Sequence, residues 1–260
     1  MLDISISYSD LEYFLLVLVR VSCFIYIVPF FSMSHVPNRY RIALAVAVSV
    51  LLYGATSPHA EVEYTTVMGY AMIVIREALA GILIGMGSNL CMSILALVGA
   101  VADMEIGFSM VTMIDPATKS QTTITSTMYQ YFVTLILLLS GMYEYVLGAL
   151  ADSYRLIPVN GAVFHSEKLL NAMAIFMSEY ISVGFRICLP IFAATLLLNV
   201  VLGIMAKVSP QMNMFAVGLQ LKILVGLVII FVTIGLLPIA SDMIFTEAKK
   251  MTVSFVEAIM

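Results

Sequence analysis

The chain of 260 residues is 62% hydrophobic and only 11% charged, about half the charged fraction of an average protein. A soluble globular protein of this composition would lack polar residues to cover its surface, and a disordered chain would need far more charge. With 12 Lys and Arg against 16 Asp and Glu, a nucleic-acid-binding protein is excluded as well. The composition fits an integral membrane protein or a subunit buried in a larger apolar assembly.

The N-terminal residues MLDISISYSDLEYF carry acidic residues and no basic ones, so we do not expect a cleavable signal peptide. Six apolar stretches follow, and their Leu, Ile, Val, Met and Ala content at these lengths predicts helices. The stretches lie at 11–31, 42–56, 67–102, 128–150, 172–206 and 212–245. We therefore predict an all-α protein, a membrane-embedded helical bundle with a single domain over residues 1–260.

The lengths of these stretches differ in a way that a plain bundle does not explain. At 1.5 Å per residue, the first and fourth reach about 32 and 35 Å, close to the hydrocarbon core of a bilayer. The second reaches only about 22 Å, whereas the third, fifth and sixth reach about 50–54 Å, too long for one upright span. Gly81, Gly85 and Gly87 interrupt the third, Pro190 the fifth, and Gly235 with Pro238 the sixth. Each long stretch is predicted to be a bent helix, a hairpin of half-length helices or a helix projecting beyond the bilayer.

Two connectors differ from ordinary short loops. Residues 103–127, DMEIGFSMVTMIDPATKSQTTITST, lack a helical period and are rich in Ser and Thr, with interspersed Met and Phe. Residues 206–213, AKVSPQMN, join the last two long stretches. Long irregular segments in compact proteins are usually functional or disordered. Because residues 103–127 are too apolar for a solvated linker, we predict a functional role for them.

The sequence contains no motif for catalysis or cofactor binding. Cys23, Cys91 and Cys188 are widely spaced and odd in number, so neither a disulfide framework nor a zinc site is predicted. The three histidines lie far apart in polar connectors, and no nucleotide-binding or hydrolase motif occurs. We expect a protein that is not an enzyme, with no catalytic residue, cofactor, metal or nucleic-acid partner.

Six charged residues lie within or beside the apolar stretches, where a charge at the bilayer centre costs about 2.5–3.5 kcal/mol. They are Arg20, Arg76, Glu77, Glu179, Arg186 and Lys222. Three explanations are open: the side chains reach the interface, they line an ion or proton path, or they meet polar groups on other subunits. The third fits the over-long, broken helices best. The GxxxG step at Gly81 and Gly85 also allows close helix contact.

Several longer motifs resemble one protein family. They are Arg20 with Pro29 in the first helix, VPNRYR at 36–41, REALAGILIG at 76–85, GFSMVTMIDP at 107–116 and LPIFAATLLLNVVLGIMAKVSPQMNMFAVGLQLKILVG at 189–226. The last motif is the most specific, because its N-x-x-L-G and P-Q-x-N-x-F-x-x-G spacings are hard to obtain from hydrophobic bias alone. Together the motifs cover nearly the whole chain and resemble the FliR family of flagellar export-gate proteins, which has homologues in virulence type III secretion systems.

The resemblance implies one subunit of a helical hetero-oligomeric gate in the bacterial inner membrane, within the flagellar basal body and in contact with membrane lipid. In that family one FliR copy assembles with five FliP and four FliQ subunits, FlhB docks onto the assembly, and unfolded flagellar proteins pass through it. Residues 106–121 correspond to the loop that plugs the closed gate. The implied gate residues are Phe108, Met110, Met113, Asp115, Pro116 and Gln121.

The predicted contacts with neighbouring subunits combine the six charged residues with the region of the last connector. That region adds Asn199, Gly203, Pro210, Gln211 and Asn213. Small residues and amides in a sharp turn between apolar helices favour close packing against another helix. We therefore expect the 199–218 stretch to contact neighbouring gate subunits.

Two other functions stay open at this point. A secondary transporter would also show broken helices and intramembrane charges, with a substrate site near Glu77, Glu179 and Arg186, although no internal repeat relates the two halves. A purely structural membrane scaffold predicts that substitutions in 106–121 leave secretion unchanged. The gate function instead predicts that deleting part of this segment makes the membrane leak ions.

Overall fold

A computed structural model of the protein describes residues 8–33, 36–56, 62, 64–108, 113–114, 121–209, 211 and 214–260, with the backbone alone at 113–114, 121–122 and 214–216. This part of the chain forms eight helices and one pair of two-residue strands. The helices are α1 Tyr8–Ile27, α2 Asn38–Ala55, α3 Val67–Ile106, α4 Ile124–Leu139, α5 Met142–Leu156, α6 Ser166–Val208, α7 Met214–Ile234 and α8 Leu237–Ala258. The strands β1 Met113–Ile114 and β2 Gln121–Thr122 pair antiparallel. The predicted all-α fold is confirmed.

Two of the long apolar stretches form single continuous helices. α3 has 40 residues and α6 has 43, which corresponds to about 60 and 65 Å. The predicted interruptions therefore do not end these helices: Pro190 lies inside α6, and the glycines of the third stretch lie within α3. Helices of this length exceed one upright crossing of a bilayer.

Two other stretches are each divided into two helices. The fourth stretch has a length that matches one upright span. Within it, α4 ends at Leu139 and α5 begins at Met142, with a bend of 70° between the two helices. Gly141 takes φ 76° at this bend, a left-handed conformation that glycine adopts without steric cost. The sixth stretch divides after Ile234 into α7 and α8, and Pro238 falls in the first turn of α8, where its missing N–H is not needed.

Within the part of the chain that the structure describes, three helices are long and apolar enough to cross a membrane. They are α3, α6 and the Val217–Ile234 part of α7, and the bent pair of α4 and α5 makes a fourth if it counts as one broken span. α1 has a length that matches a bilayer, but it carries Asp10, Glu12 and Arg20 and is not one of these helices. Three charges in one 20-residue helix make insertion costly.

The described residues belong to two compact units. Unit 1 draws on Met1–Cys91, Gly141–Phe176 and Glu247–Met260, and unit 2 on Met92–Ser140 and Met177–Thr246. The single predicted domain over 1–260 thus contains two compact parts.

In unit 1, α3 packs directly on the backbone of α1. A Cβ atom on Gly81 would stand 2.2 Å from the Arg20 carbonyl oxygen, and one on Gly85 would stand 3.1 Å from the Phe24 carbonyl oxygen. The GxxxG step therefore makes a close helix contact, and it does so within the chain.

The connector between α5 and α6 also belongs to unit 1 and pairs with the C-terminal residues. The Val163 N–H donates to the Ile259 carbonyl at 3.1 Å, and the His165 N–H donates to the Ala258 carbonyl at 3.0 Å. These two backbone bonds hold the end of α8 against the start of α6.

In unit 2, the end of α3 packs against α6 and α7. Ala102, Ile106, Ile191 and Ile230 form a buried apolar cluster. Gly226 of α7 lies so close to this cluster that a Cβ atom there would stand 2.3 Å from a methyl carbon of Ile106. The last turn of α3 is therefore fixed by packing on two other helices.

Candidate functional site

The predicted gate segment starts where α3 ends. Gly107 directly follows α3 and has φ +98°, and its N–H donates to the Asp103 carbonyl at 3.0 Å. A left-handed glycine in this position closes the last turn of a helix. Further along, Met113 pairs with Thr122 and Ile114 pairs with Gln121. The connection between α3 and α4 therefore pairs with itself at these positions.

The segment ends at the first turn of α4, where a carboxylate from α3 acts as the helix cap. Thr123 is the N-cap residue, but its side chain makes no capping hydrogen bond. Instead, Asp103 accepts hydrogen bonds from the Thr125 N–H at 3.3 Å and from the Thr125 hydroxyl. Asp103 and Thr125 are each 1% exposed. A carboxylate is favourable here both as an acceptor and through its interaction with the helix dipole.

One turn before Asp103, the two helices touch backbone to backbone. A Cβ atom on Gly99 would stand 2.2 Å from both the N and the Cα atoms of Ser126. Only glycine allows α3 and α4 to approach this closely. The two ends of the connection are thus held at one place in unit 2, by this contact and by the Asp103 cap.

The side chains predicted to form the gate are only partly within the described residues. Phe108 is half-buried and packs against the apolar cluster that contains Ile106 and Ile230. Met110, Asp115 and Pro116 lie outside the described residues, and Met113 and Gln121 are described by their backbone alone. Their role in the gate stays a prediction.

Arg20 and Glu77 form a fully buried ion pair in unit 1. Arg20 Nε lies 2.6 Å from Glu77 Oε2, and its Nη2 lies 3.0 Å from Oε1. Nη1 donates to the Ile157 carbonyl at 3.0 Å, and the Asn160 N–H donates to Glu77 Oε1 at 2.9 Å. The guanidinium carbon stands 4.3 Å from the ring centroid of Tyr154. Both charged side chains are 0% exposed.

This network changes the interpretation of two predicted contacts. The sequence predicts that Arg20 and Glu77 meet other subunits, and one alternative places Arg20 at the membrane interface. The structure instead pairs the two residues with each other inside the chain, where neither is open to a partner or to an ion path. Because each charge has an opposite charge and a backbone hydrogen-bond partner, the cost of burying it is offset.

The other four charged residues of the apolar stretches are differently placed. Arg76 and Arg186 are exposed, and Glu179 and Lys222 are half-buried. None of the four forms an ion pair or a hydrogen bond with another described residue. Charges on apolar helices require a partner or water, so these four remain available to groups outside the described chain.

The predicted contact region near the end of α6 presents an open apolar surface. Asn199 and Gly203 are exposed, and a Cβ atom on Gly203 would meet no atom of another described part of the chain within 4 Å. Leu196, Val200 and Ile204 beside them are 60%, 61% and 59% exposed. Gln211 is also exposed, whereas Pro210 and Asn213 lie outside the described residues.

Sequence reasoning missed two acidic residues at the end of α3. Asp103 caps α4, and Glu105 accepts a hydrogen bond from the Thr195 hydroxyl at 3.1 Å. Because the apolar run ends at 102, the sequence predicts that both lie in an irregular connector. The spacing of Val98, Ala102 and Ile106, all 0% exposed, continues a helical face through the connector's first residues and would have extended the helix.

Residues 11–248 match the family described as bacterial export proteins, family 1. The chain belongs to this family. FliR, the flagellar biosynthetic protein of Bacillus subtilis, is 27% identical over 235 residues that cover 90% of each chain. FliR of Aquifex aeolicus is 29% identical over 244 residues, 92% of each chain. The surface presentation of antigens protein SpaR of Shigella flexneri is 25% identical over 236 residues, 89% of this chain and 90% of SpaR.

These relatives confirm the family resemblance read from the motifs. As a member of family 1 of the bacterial export proteins, the chain is a component of the flagellar type III export gate, and its apolar helices make it a membrane protein. Members of this family are structural components of the export apparatus. None of the matches supports the alternative of a secondary transporter.

Proposed function

We propose that this chain forms part of the channel through which unfolded flagellar proteins leave the cytoplasm, and that residues 106–121 plug the channel when it is closed. The proposed setting is the bacterial inner membrane, within the flagellar basal body. The proposed partners are five FliP and four FliQ subunits around one copy of this chain, with FlhB docked onto the assembly.

The observation that supports the plug most directly is the anchoring of both ends of its segment. α3 and α4 touch at Gly99 and Ser126, and Asp103 caps α4 at Thr125. A segment anchored at both ends on a packed helix pair is suited to blocking an opening, because it keeps its place when its middle is displaced. The strand pair at 113–114 and 121–122 adds only two residues of pairing on each side, which costs little to break.

The residue types in this segment suit a gate for unfolded substrates. Such substrates arrive with arbitrary side chains, so the gate gains nothing from stereospecific recognition. Methionine and phenylalanine make soft apolar contacts that adapt to varied shapes, and Ser, Thr and Gln add weak hydrogen bonds. We propose that no strong ion pair spans the opening, so that displacement of the plug costs little free energy.

Exposed apolar surface supports assembly with other subunits. Among the described side chains of α7, five large apolar ones are more than half exposed: Leu224, Leu227, Val228, Phe231 and Val232. The end of α6 presents a similar face. We propose that neighbouring subunits cover these faces and supply opposite charges to Arg76, Glu179, Arg186 and Lys222.

Deletion of residues 108–114 in the intact export complex tests the plug. The complex should be recovered in full, while the membrane becomes permeable to small ions. A companion variant replaces 108–114 with Gly and Ser at unchanged length. It should leak too, because it lacks the Met and Phe contacts. A tight membrane and unchanged secretion in both variants would contradict the plug and would favour a structural scaffold.

Purification of the chain tests the assembly. We expect it to be recovered with small membrane partners in a fixed, unequal ratio. A chain that is stable alone in detergent, with no partner and no channel in any complex, would contradict the proposal.

A further inference from the structure

Asp103 occupies an unusual position for a carboxylate in an apolar helix. It lies in the last turn of α3 and is 1% exposed. Among the described residues, the only hydrogen-bond partner of its side chain is Thr125, through the backbone N–H and the hydroxyl. The described hydrogen bonds of the Asp103 side chain therefore all join the end of α3 to the start of α4, the two helices that the gate segment connects.

Asp103 caps α4 although α4 has a suitable N-cap residue of its own. Thr123 stands at the N-cap position with φ −85° and ψ 152°, angles at which a threonine hydroxyl usually caps its own helix. Its hydroxyl is nevertheless buried and has no hydrogen-bond partner among the described residues. The first turn of α4 is thus capped from another helix although a local capping residue is present.

A cap supplied from α3 has a consequence that a local cap lacks. A local cap stabilises the start of α4 wherever α4 lies, whereas the Asp103 cap forms only when the first turn of α4 lies against the last turn of α3. Gly107 and Thr123, the first and last residues of the connection, are then held near each other. The cap therefore couples the start of α4 to the position of the gate segment.

We infer that Asp103 is a positioning residue for the closed gate: its carboxylate fixes the first turn of α4, and with it the second anchor of the 106–121 segment. This inference rests on the proposed function, because it gives the cap a role in the seal. Loss of a helix cap shifts the equilibrium at a helix end by about fivefold. We therefore expect a leakier closed state in an export complex that still assembles.

The test measures ion leak through the complete export complex, normalised to the amount of complex. Asp103→Leu removes the acceptor at similar side-chain size, and Asp103→Asn keeps an oxygen that accepts from the Thr125 N–H. Glu105→Gln is the matched control, since Glu105 lies in the same turn of α3 but contacts Thr195 of α6. Asp103→Leu should raise the leak about fivefold. Asp103→Asn, which keeps one acceptor and loses the charge, should raise it less, and Glu105→Gln should match the unmodified complex.

The outcomes separate this inference from the proposed function. If the 108–114 deletion leaks but Asp103→Leu stays as tight as Glu105→Gln, the inference is overturned and the plug stands. Equal leak from Asp103→Asn and Asp103→Leu overturns capping as the cause. A tight 108–114 deletion overturns the plug and the inference together.

A second variant covers the case in which Asp103→Leu does not assemble. Thr125→Val keeps the shape of the side chain and removes the hydroxyl that donates to Asp103. It should leak less than Asp103→Leu but more than Glu105→Gln. A fully assembled, tight Thr125→Val complex would then overturn the inference.

Discussion

Gly81 lies against Arg20 so closely that a Cβ atom on the glycine would stand 2.2 Å from the Arg20 carbonyl oxygen. Glu77 lies one helical turn before Gly81 on the same face of α3. The close approach at Gly81 therefore brings the Arg20 side chain within reach of the Glu77 carboxylate, 2.6 Å away. A glycine contact and a buried ion pair thus depend on the same spacing between α1 and α3.

Gly81→Ala should destabilise the protein, because the added methyl group meets rigid backbone. Overpacking of this kind costs about 1–3 kcal/mol, and here it also separates the ion pair. Gly148→Ala in α5 is the matched control, since a Cβ atom there meets nothing within 4 Å. Alanine at such an open helical site should be neutral or stabilising by up to about 1 kcal/mol. The midpoint temperature of thermal aggregation in detergent measures the stability of both variants. Equal midpoint temperatures for Gly81→Ala and Gly148→Ala would contradict the prediction.

Glu77→Ala should lower the stability of the protein more than removal of both charges of the ion pair does. It leaves the Arg20 guanidinium buried without an opposite charge, which costs about 3–5 kcal/mol. The double variant Arg20→Met with Glu77→Ala removes both charges and should recover part of that loss. Protein abundance in the membrane and resistance to protease report the difference.

The neighbouring residue supplies the control for Glu77. Arg76 is exposed and has no partner among the described residues, so Arg76→Ala should leave the fold intact. An effect of Glu77→Ala no larger than that of Arg76→Ala would show that the buried pair does not stabilise unit 1.

Much of the helical content could be predicted from composition and period. Every apolar stretch corresponds to one helix or to two consecutive helices, and the break before Pro238 was expected from Gly235. The contrast between Pro190, which stays inside α6, and Ser140, where α4 ends, was not predictable. The effect of a proline or glycine on a long helix depends on the packing around it, and packing is not visible in a single sequence.

The site shows the same limit. The sequence marks Arg20 and Glu77 as charges that need partners, but 57 positions separate them, and no periodicity argument joins residues so far apart. The role of Asp103 is not predictable for another reason: the apolar run ends at 102, so the sequence predicts a connector where the last turn of α3 lies. The sequence does predict which charged side chains need a partner in apolar surroundings.

Arg186→Ala should weaken assembly without unfolding the chain. Arg186 is exposed on α6 and pairs with no described residue, so its removal takes away no ion pair or hydrogen bond among the described residues. If a partner subunit neutralises it in an apolar interface, its loss leaves the partner's charge unpaired, at a cost of about 2–5 kcal/mol. Recovery of the other gate subunits with a tagged chain should fall steeply, while the abundance of the chain itself stays unchanged.

Arg155→Ala provides the comparison for that measurement. Arg155 is 85% exposed, and its Nη1 lies 3.6 Å from Oδ1 of Asp152 in the same helix. Such an exposed ion pair stabilises a protein by about 0–1 kcal/mol. It should leave assembly intact. If both arginine variants keep full recovery of the partners, the proposed subunit contact of Arg186 is wrong.

Gly203→Leu should have opposite effects on the chain and on its assembly. Within α6, leucine is a better helix former than glycine by about 0.8–1 kcal/mol, and among the described residues no atom beyond the adjoining helix backbone lies within 4 Å of the new Cβ atom. The chain itself should therefore become slightly more stable. If a neighbouring helix packs closely at Gly203, the larger side chain keeps that helix away and lowers recovery of the complex. Gly203→Ala should give the same gain in stability with a smaller loss of assembly, and full recovery of the complex with Gly203→Leu would place the subunit interface elsewhere on α6.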